Sequence, residues 1–286
     1  VNNEDVDRFL ASQSYSAATR ETYRRVLILL NQRIDQDPDQ DPSVDPLIQI
    51  EPAELLRFVD REGWGNSQQY VALCACRKFL AWRFGLAHPA LSARIKRVRP
   101  RRQRVLTVQR ALALLACFDT YTPKGCRDLA IAALGLDTGL RASEFCRLRL
   151  ADVDLEQRTL QVVVKGGQWG VGVYSPETAQ YLREWIAVRR VAPGVGTLFT
   201  STRTGRPLTR SGLGCIVRKW GNAIGVKLSP HDLRRSFATL STIFGAPSRL
   251  VQAAGRWESI EMVEYYTQGI DPAAITPFLP VSQLRK

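Results

Sequence analysis

SARIKRVRPRRQRVLTVQR (Ser92–Arg110) is the stretch that divides this chain. Arg94, Lys96, Arg97, Arg99, Arg101, Arg102 and Arg104 crowd around Pro100. Like charges at that density repel one another, and they disfavour compact packing unless an anion lies nearby. The segment reads as an extended linker lying along a nucleic-acid backbone. It separates a purely helical region before it from a mixed region of helices and strands after it.

The charge of the whole chain agrees. Forty Lys and Arg stand against 27 Asp and Glu among 286 residues, a net charge of +13. Such an excess favours a polyanionic partner, because each neutralised phosphate releases condensed counterions. Hydrophobic residues make up 45%, ample for one large domain or two of ordinary size. No run of about 18 or more apolar residues occurs, so no membrane-spanning helix is expected. No signal-peptide pattern opens the chain, although its first residue is valine. Cys74, Cys76, Cys117, Cys126, Cys146 and Cys215 form no C-x-x-C pair, and His88 and His231 are the only histidines. A zinc site is therefore not expected, and neither a metal nor a cofactor is implied. Most of the cysteines sit among apolar residues and read as reduced, buried thiols of a cytoplasmic protein.

Before the linker, SAATRETYRRVLILLNQRI (Ser16–Ile34) opens on a Ser/Thr-rich cap and sets Tyr23, Val26, Leu27 and Leu30 at helical spacing. DQDPDQDPSVDP (Asp35–Pro46) follows, with five aspartates and three prolines, and reads as a solvated loop. Glu51–Gly63 and Asn66–Gly85 read as two amphipathic helices, each stopped by glycine. After the linker, Val108–Phe118 and Cys126–Leu148 read as helical. Thr159–Ser175 reads as a hairpin: Leu160, Val162 and Val164 alternate, Gly166-Gly167 turn, and Trp169, Val171 and Val173 alternate back. Ser175 caps a further helix that has Pro176 in its first turn, and helices continue to the C-terminus, with a brief apolar TLFTS (Thr197–Ser201) between them.

Several short motifs could carry chemistry. In LSPHDLRRSFATL (Leu228–Leu240), Ser229 caps a helix that Pro230 opens, and His231 and Arg234 share a face of its first turn. Free N–H groups at that helix end would suit a phosphate, although a capped helix with a chance His and Arg reads the same way. In DTGLRASEF (Asp137–Phe145), Gly139 bends the chain, and Glu144 lies one turn beyond Arg141, able to orient its guanidinium toward an anion or simply to form an exposed ion pair. Lys165 sits at the hairpin tip, solvated or reaching into a groove. In GRWESIEMVEYYTQG (Gly255–Gly269), Trp257 offers an N–H donor. Successive helical residues rotate by about 100°, so Tyr265 and Tyr266 cannot share a face: one phenol packs and the other points elsewhere.

TGLRASEF, the hairpin lysine, HDLRRSFAT and GRWESIEMVEYYT, in that order, resemble the tyrosine recombinase family, also called phage integrases, in its simple two-domain Xer/Cre-like form. The resemblance extends over essentially the whole chain. It implies a mainly α fold with a small β-hairpin or sheet in the catalytic domain, forming a two-domain DNA clamp. Residues 1–98 would be a helical core-binding domain, 99–107 the basic linker, and 108–286 the catalytic domain. Arg141 resembles the first catalytic arginine and Glu144 its acidic companion. Lys165 resembles the hairpin lysine, and His231 and Arg234 match the His-x-x-Arg pair. Trp257 falls where most members have histidine and some have tryptophan. The family's nucleophile follows nine residues later, which selects Tyr266 and leaves Tyr265 to packing. Arg235 stands where histidine is frequent and is assigned no role.

The residue types suit that chemistry. Arg141, Arg234 and the Trp257 N–H could offer fixed donors to the charge that gathers on a phosphodiester under in-line attack, without a metal. Tyr266 would attack and hold the phosphate covalently, with His231 helping to remove the phenol proton and Lys165 protonating the departing 5′ oxygen. No carboxylate cluster of the kind two-metal nucleases need is present in these motifs. The implied partner is double-stranded DNA carrying recombination sites. Four protomers would assemble on two sites and exchange strands through a Holliday junction, in integration, excision or resolution. The alternatives are a type IB topoisomerase-like enzyme and a DNA-binding protein with a vestigial site. Arg20, Arg24, Arg25, Arg77, Lys78, Lys96, Arg97, Arg101, Arg102 and Arg104 are the expected DNA contacts, with base readout assigned to the helical faces around Arg20–Arg25 and Arg77–Lys78. The tail IDPAAITPFLPVSQLRK (Ile270–Lys286) is expected to dock on a neighbouring protomer. The resemblance places the protein in a prokaryotic cytoplasm, associated with the nucleoid when bound. No separate arm-binding domain is visible, which leans toward a recombinase needing few accessory proteins.

Overall fold

A computed structural model describes residues 3–34, 45–98, 104–164 and 167–267. The chain divides into two compact units, Val1–Pro100 and Arg101–Lys286.

The first unit is helical: α1 (Asn3–Ala11), α2 (Ala17–Ile34), α3 (Pro52–Arg61) and α4 (Asn66–Phe84), closed by a short 3-10 turn at Pro89–Ser92. Its core gathers Val6, Phe9, Leu27, Leu30, Leu55, Leu73, Phe79 and Leu80, with Phe9 and Phe79 edge-on at 5.5 Å. Tight packing of this kind gives the unit a hydrophobic centre of its own. His88 is structural. Its buried ring lies 2.8 Å from the Leu47 carbonyl and accepts from the Ala90 N–H, which caps the 3-10 turn. Arg83 clamps the acidic groups of Asp5 and Asp45.

The second unit is built around α6 (Pro123–Thr138), whose residues are buried on nearly every side, as expected of a helix at the centre of a domain. Thr122 caps it through a hydrogen bond from the Gly125 N–H, and Pro123 occupies its first turn. Before it lies α5 (Val108–Ala116). After it come α7 (Ala142–Arg147), α8 (Pro176–Val188), α9 (Arg210–Ala223), α10 (Pro230–Ile243), α11 (Ser248–Gly255) and α12 (Ile260–Thr267). α6 packs against α8 and α10. Within the segment read as linker, Leu106 is buried in this core, and its N–H donates to Ser236 Oγ at 2.7 Å.

A three-stranded antiparallel sheet runs in the order β1 (Val153–Asp154), β2 (Thr159–Val163) and β3 (Trp169–Val173). The hairpin read from the sequence is β2–β3, and β1 is an addition to it. Leu160 faces Gly172, and Val162 faces Gly170 across the pair. Leu160, Val162 and Gly172 turn inward, while Val163, Trp169, Val171 and Val173 face solvent. TLFTS contributes buried Leu198 and Phe199 through isolated bridges rather than a strand.

The cysteines are all unpaired, but only Cys76 and Cys126 are buried; Cys117 and Cys215 are exposed. Cys117 ends α5 and Cys215 lies on an outer face of α9, so apolar sequence neighbours did not mean burial. Among the described residues, no helix is long and apolar enough to cross a membrane, and no group of three or more side chains could hold a metal.

Candidate active site

The site grows from the ends of α6, α7, α10 and α11. α6 stops at Gly139, which adopts a left-handed conformation (φ 59°). A side chain there would also collide with Phe237, since a methyl carbon would stand 2.7 Å from its ring. The chain then restarts as α7 with Arg141 at its N-cap. Buried Glu144 reaches back, accepting the Arg141 backbone N–H at 2.9 Å and Nη1 at 2.8 Å. Glu144 is 3% exposed at its side chain and Arg141 36%, so the carboxylate anchors a guanidinium whose outer edge is open.

α10 supplies the next pair. Asp232 is buried and accepts the Ser229 N–H and hydroxyl at 2.9 and 2.7 Å, fixing the first turn. Arg234, one turn after His231, is 1% exposed. Its Nη1 donates to the Gly139 carbonyl at 2.5 Å and Nη2 to the Gly255 carbonyl at 2.7 Å, while its Cζ lies 4.3 Å from the centre of the Trp257 ring. Burial, then the nearby Arg141, pulls its pKa down to about 9, which leaves it cationic at neutral pH. His231 is exposed at the surface of the site. Partial desolvation, then the Arg235 and Arg234 cations, hold its pKa down at about 4, opposed only in part by Asp232. His231 is therefore neutral at pH 7 and able to accept a proton. Arg235, given no role in the sequence reading, donates to Asp232 at 2.9 Å.

The segment after α10 brings in the aromatic groups. Trp257 is buried and stacks on Phe237 at 6.0 Å. Tyr266 is buried too, with its ring edge-on to His231 at 6.1 Å and 5.8 Å from Trp257. Arg234 and the Tyr266 phenol interact electrostatically. Thr239 donates to the Tyr266 carbonyl at 2.9 Å, pinning α12 to α10. Tyr265 is half-buried, and its ring lies 5.9 Å from that of Tyr266. The two rings of the doublet do not part company as expected: both pack on the Phe237–Trp257 cluster, with Tyr266 the more buried and the one held against His231, Arg234 and Trp257.

Lys165 and the tail Ile270–Lys286 lie outside the described residues. The hairpin around Lys165 is closed by Val164 N–H to Gln168 O at 2.8 Å and by Gly167 N–H to Val164 O at 3.1 Å. At the hairpin's foot, one Asp137 oxygen accepts the Ser175 N–H and hydroxyl and the Thr178 hydroxyl, at 2.9, 2.7 and 2.6 Å.

Sequence reasoning overlooked Arg256. It has a left-handed backbone (φ 57°) at the end of α11, and its guanidinium reaches inward beneath β3 toward Glu144. The signals were an arginine at a helix end where glycine is the usual residue, and the Gly-x-Gly of β3.

Among the expected DNA contacts, Arg20, Arg24, Arg25, Lys78, Lys96, Arg97 and Arg104 are exposed and Arg77 half-buried. Arg24 is paired with Asp7; Lys78 lies over the Tyr15 ring at 5.2 Å and Arg97 over Tyr70 at 5.5 Å. Arg104 lies 3.5 Å from buried Asp232. Arg101 and Arg102 fall outside the described residues.

A helical unit followed by this helix-and-hairpin unit, with the four motifs in order, is the architecture of a tyrosine recombinase. Residues 104–271 match the phage integrase family, and the chain belongs to it. It is 30% identical over 259 residues to tyrosine recombinase XerD of Neisseria meningitidis serogroup A, spanning 87% of this chain and 86% of that one. It is 28% identical over 286 residues to tyrosine recombinase XerC of Xanthomonas axonopodis pv. citri, spanning 92% and 91%. Its fold is similar to that of XerH site-specific recombinase in a post-cleavage complex with palindromic difH substrate (TM-score 0.73, 17% identity, 98% of this chain and 85% of that one). It is also similar to that of the Tn1549 transposon integrase in complex with transposon right end DNA (TM-score 0.71, 16% identity, 98% and 99%).

Proposed function

We propose that this chain is a site-specific DNA recombinase that cleaves and rejoins strands through a 3′-phosphotyrosine on Tyr266. The observation that carries the reading is the gathering of buried Tyr266, Trp257 and Arg234 with the exposed His231 ring in one cluster beside the Arg141–Glu144 pair.

The Tyr266 oxygen attacks the scissile phosphorus, the new P–O(Tyr) bond forms, and the bond to the 5′ oxygen breaks. Neutral His231 accepts the phenol proton, and Lys165 delivers a proton to the departing 5′ oxygen. Arg141 and Arg234 and the Trp257 N–H offer donors to the non-bridging oxygens as their charge rises. Two of the five N–H groups of Arg234 are engaged by carbonyls, so the remaining donors can face the phosphate. The 5′ hydroxyl of a second strand reverses the step, and the ester conserves the bond energy.

The first unit and the linker are assigned to duplex binding, through phosphate contacts from Lys96, Arg97, Arg101, Arg102 and Arg104 and base contacts from the faces around Arg20–Arg25 and Arg77–Lys78. Four protomers act on two sites through a Holliday junction, in integration, excision or resolution.

The test is a nicked duplex that releases its short 5′ fragment after cleavage, traps the covalent product and is followed by peptide mapping. The adduct should fall on Tyr266, persist in EDTA and vanish in Tyr266→Phe. Wild-type protein that yields no adduct on its own site, or an adduct elsewhere, would overturn the proposal.

A further inference from the structure

We propose that Arg256 is a positioning residue for strand cleavage, tying the Arg141–Glu144 pair and strand β3 to the segment that carries Trp257 and Tyr266. The proposal rests on the recombinase reading above and assigns a role to a residue outside its catalytic set.

Arg256 is held in place against several costs. Its backbone takes the left-handed conformation (φ 57°), which glycine adopts freely and other residues only with strain. Its side chain is 7% exposed, so a cation has been taken out of water. Its Nε has no hydrogen-bond partner among the described residues. A helix terminus alone needs none of this, since glycine would end α11 without strain.

The contacts show what the guanidinium joins. Nη2 donates to the Thr138 carbonyl at 2.9 Å, the last residue of α6, where a cation also meets the negative end of the helix. Nη1 donates to the Ala254 carbonyl at 2.8 Å. The Glu144 oxygen that accepts the Arg141 backbone N–H lies 3.7 Å from Nη2. One buried carboxylate is therefore shared by two arginines: Arg141 with an open edge, Arg256 enclosed.

The hairpin is shaped to admit this side chain. A methyl carbon at Gly170 would stand 2.7 Å from Arg256 Cδ, and one at Gly172 would stand 3.4 Å from Nη1 and 2.9 Å from Leu160 Cδ1. The inward glycines of β3 form a slot for the arginine stem, and the Val171 carbonyl lies 3.4 Å from Nη1. Arg256 immediately precedes Trp257, so displacement of its side chain shifts three parts of the site together: the Glu144 anchor of Arg141, strand β3 and the Trp257 indole.

The test uses the full chain and its nicked DNA site, with duplex affinity and single-turnover cleavage at saturating protein measured separately. Arg256→Gly is the decisive variant because it relieves the backbone strain while deleting the guanidinium. Arg256→Met, Glu144→Gln and their double variant complete a cycle, and thermal melting confirms folding. Arg256→Gly is expected to bind DNA within about threefold of wild type while cleaving roughly 100-fold more slowly, the scale set by a small misplacement of reacting groups. The double variant should fall within about threefold of the slower single variant, because the two residues act as a unit. Cleavage by Arg256→Gly at the wild-type rate, or a double-variant loss equal to the product of the single losses, would overturn the proposal. If Arg256→Met does not fold, Arg256→Gly alone decides. Failure of wild type itself to form the tyrosyl adduct would instead count against the recombinase reading.

Discussion

The six-membered ring of the Trp257 indole lies against Gly255, so close that a methyl group on that Cα would stand 1.8 Å from Cζ3. The same glycine gives its carbonyl to Arg234. One residue thus seats the tryptophan and fixes the arginine. Gly255→Ala should lower stability by about 2 kcal/mol through overpacking and slow cleavage well beyond its effect on DNA affinity. Thermal denaturation beside single-turnover cleavage checks this, and an alanine variant that melts and cleaves like wild type refutes it.

His231 should remain neutral in the free protein down to about pH 4. Its folded pKa lies below the ordinary histidine value of about 6.5. The unfolded chain therefore takes up the proton first as pH falls. The stability contributed by the neutral ring is complete above about pH 6.5 and is lost as pH drops toward 4. Ring-nitrogen NMR, with His88→Gln used to assign the two histidines, gives the midpoint directly. An ordinary midpoint for His231 would remove the argument that it stands ready as a base.

Arg234→Lys should be far from conservative. A lysine ammonium lacks the planar fork that spans the Gly139 and Gly255 carbonyls and lies over Trp257. Leaving a buried carbonyl without its donor costs about 1–3 kcal/mol, and losing a preorganised donor slows chemistry by about a hundredfold or more. Denaturant unfolding and adduct formation measure the two effects separately. A lysine variant within a few-fold of wild type would mean that the charge alone suffices.

Asp137→Ala should loosen the hairpin at its root. The carboxylate loses three hydrogen bonds, and the Ser175 N–H loses its acceptor. A stability loss of about 2 kcal/mol is expected, with faster hydrogen exchange across Trp169–Ser175 and little change at α4 of the first unit. Uniform exchange protection in the variant would show that β3 is held in place without Asp137.

Much of this was legible in the sequence for local reasons. Ser caps followed by Pro announced α8 and α10, and the alternation from Leu160 to Val173 announced the hairpin. His231 and Arg234 follow from helical spacing, since a three-residue separation puts them on one face. The choice between Tyr265 and Tyr266 was different: periodicity predicted that the two would diverge, and the motif resemblance selected the second. Arg256 escaped because its role depends on contacts with Thr138, Glu144, Gly170 and Gly172, all distant in sequence. Arg235 is different: its partner Asp232 lies only three residues before it, a pairing that helical spacing offers and that the sequence reading passed over. The cysteines misled because apolar neighbours along the chain do not determine which side of a helix faces the core.

The buried guanidinium groups of Arg234 and Arg256 are braced largely by main-chain oxygens, at Thr138, Gly139, Ala254 and Gly255. No substitution deletes a peptide carbonyl. The scaffold can therefore absorb extensive drift in its side chains while the arginines remain in register, provided that the bend at Gly139 and the close approach at Gly255 survive. Those two glycines carry no reactive group, yet substituting either should disturb the arginines as surely as a change at the arginines themselves.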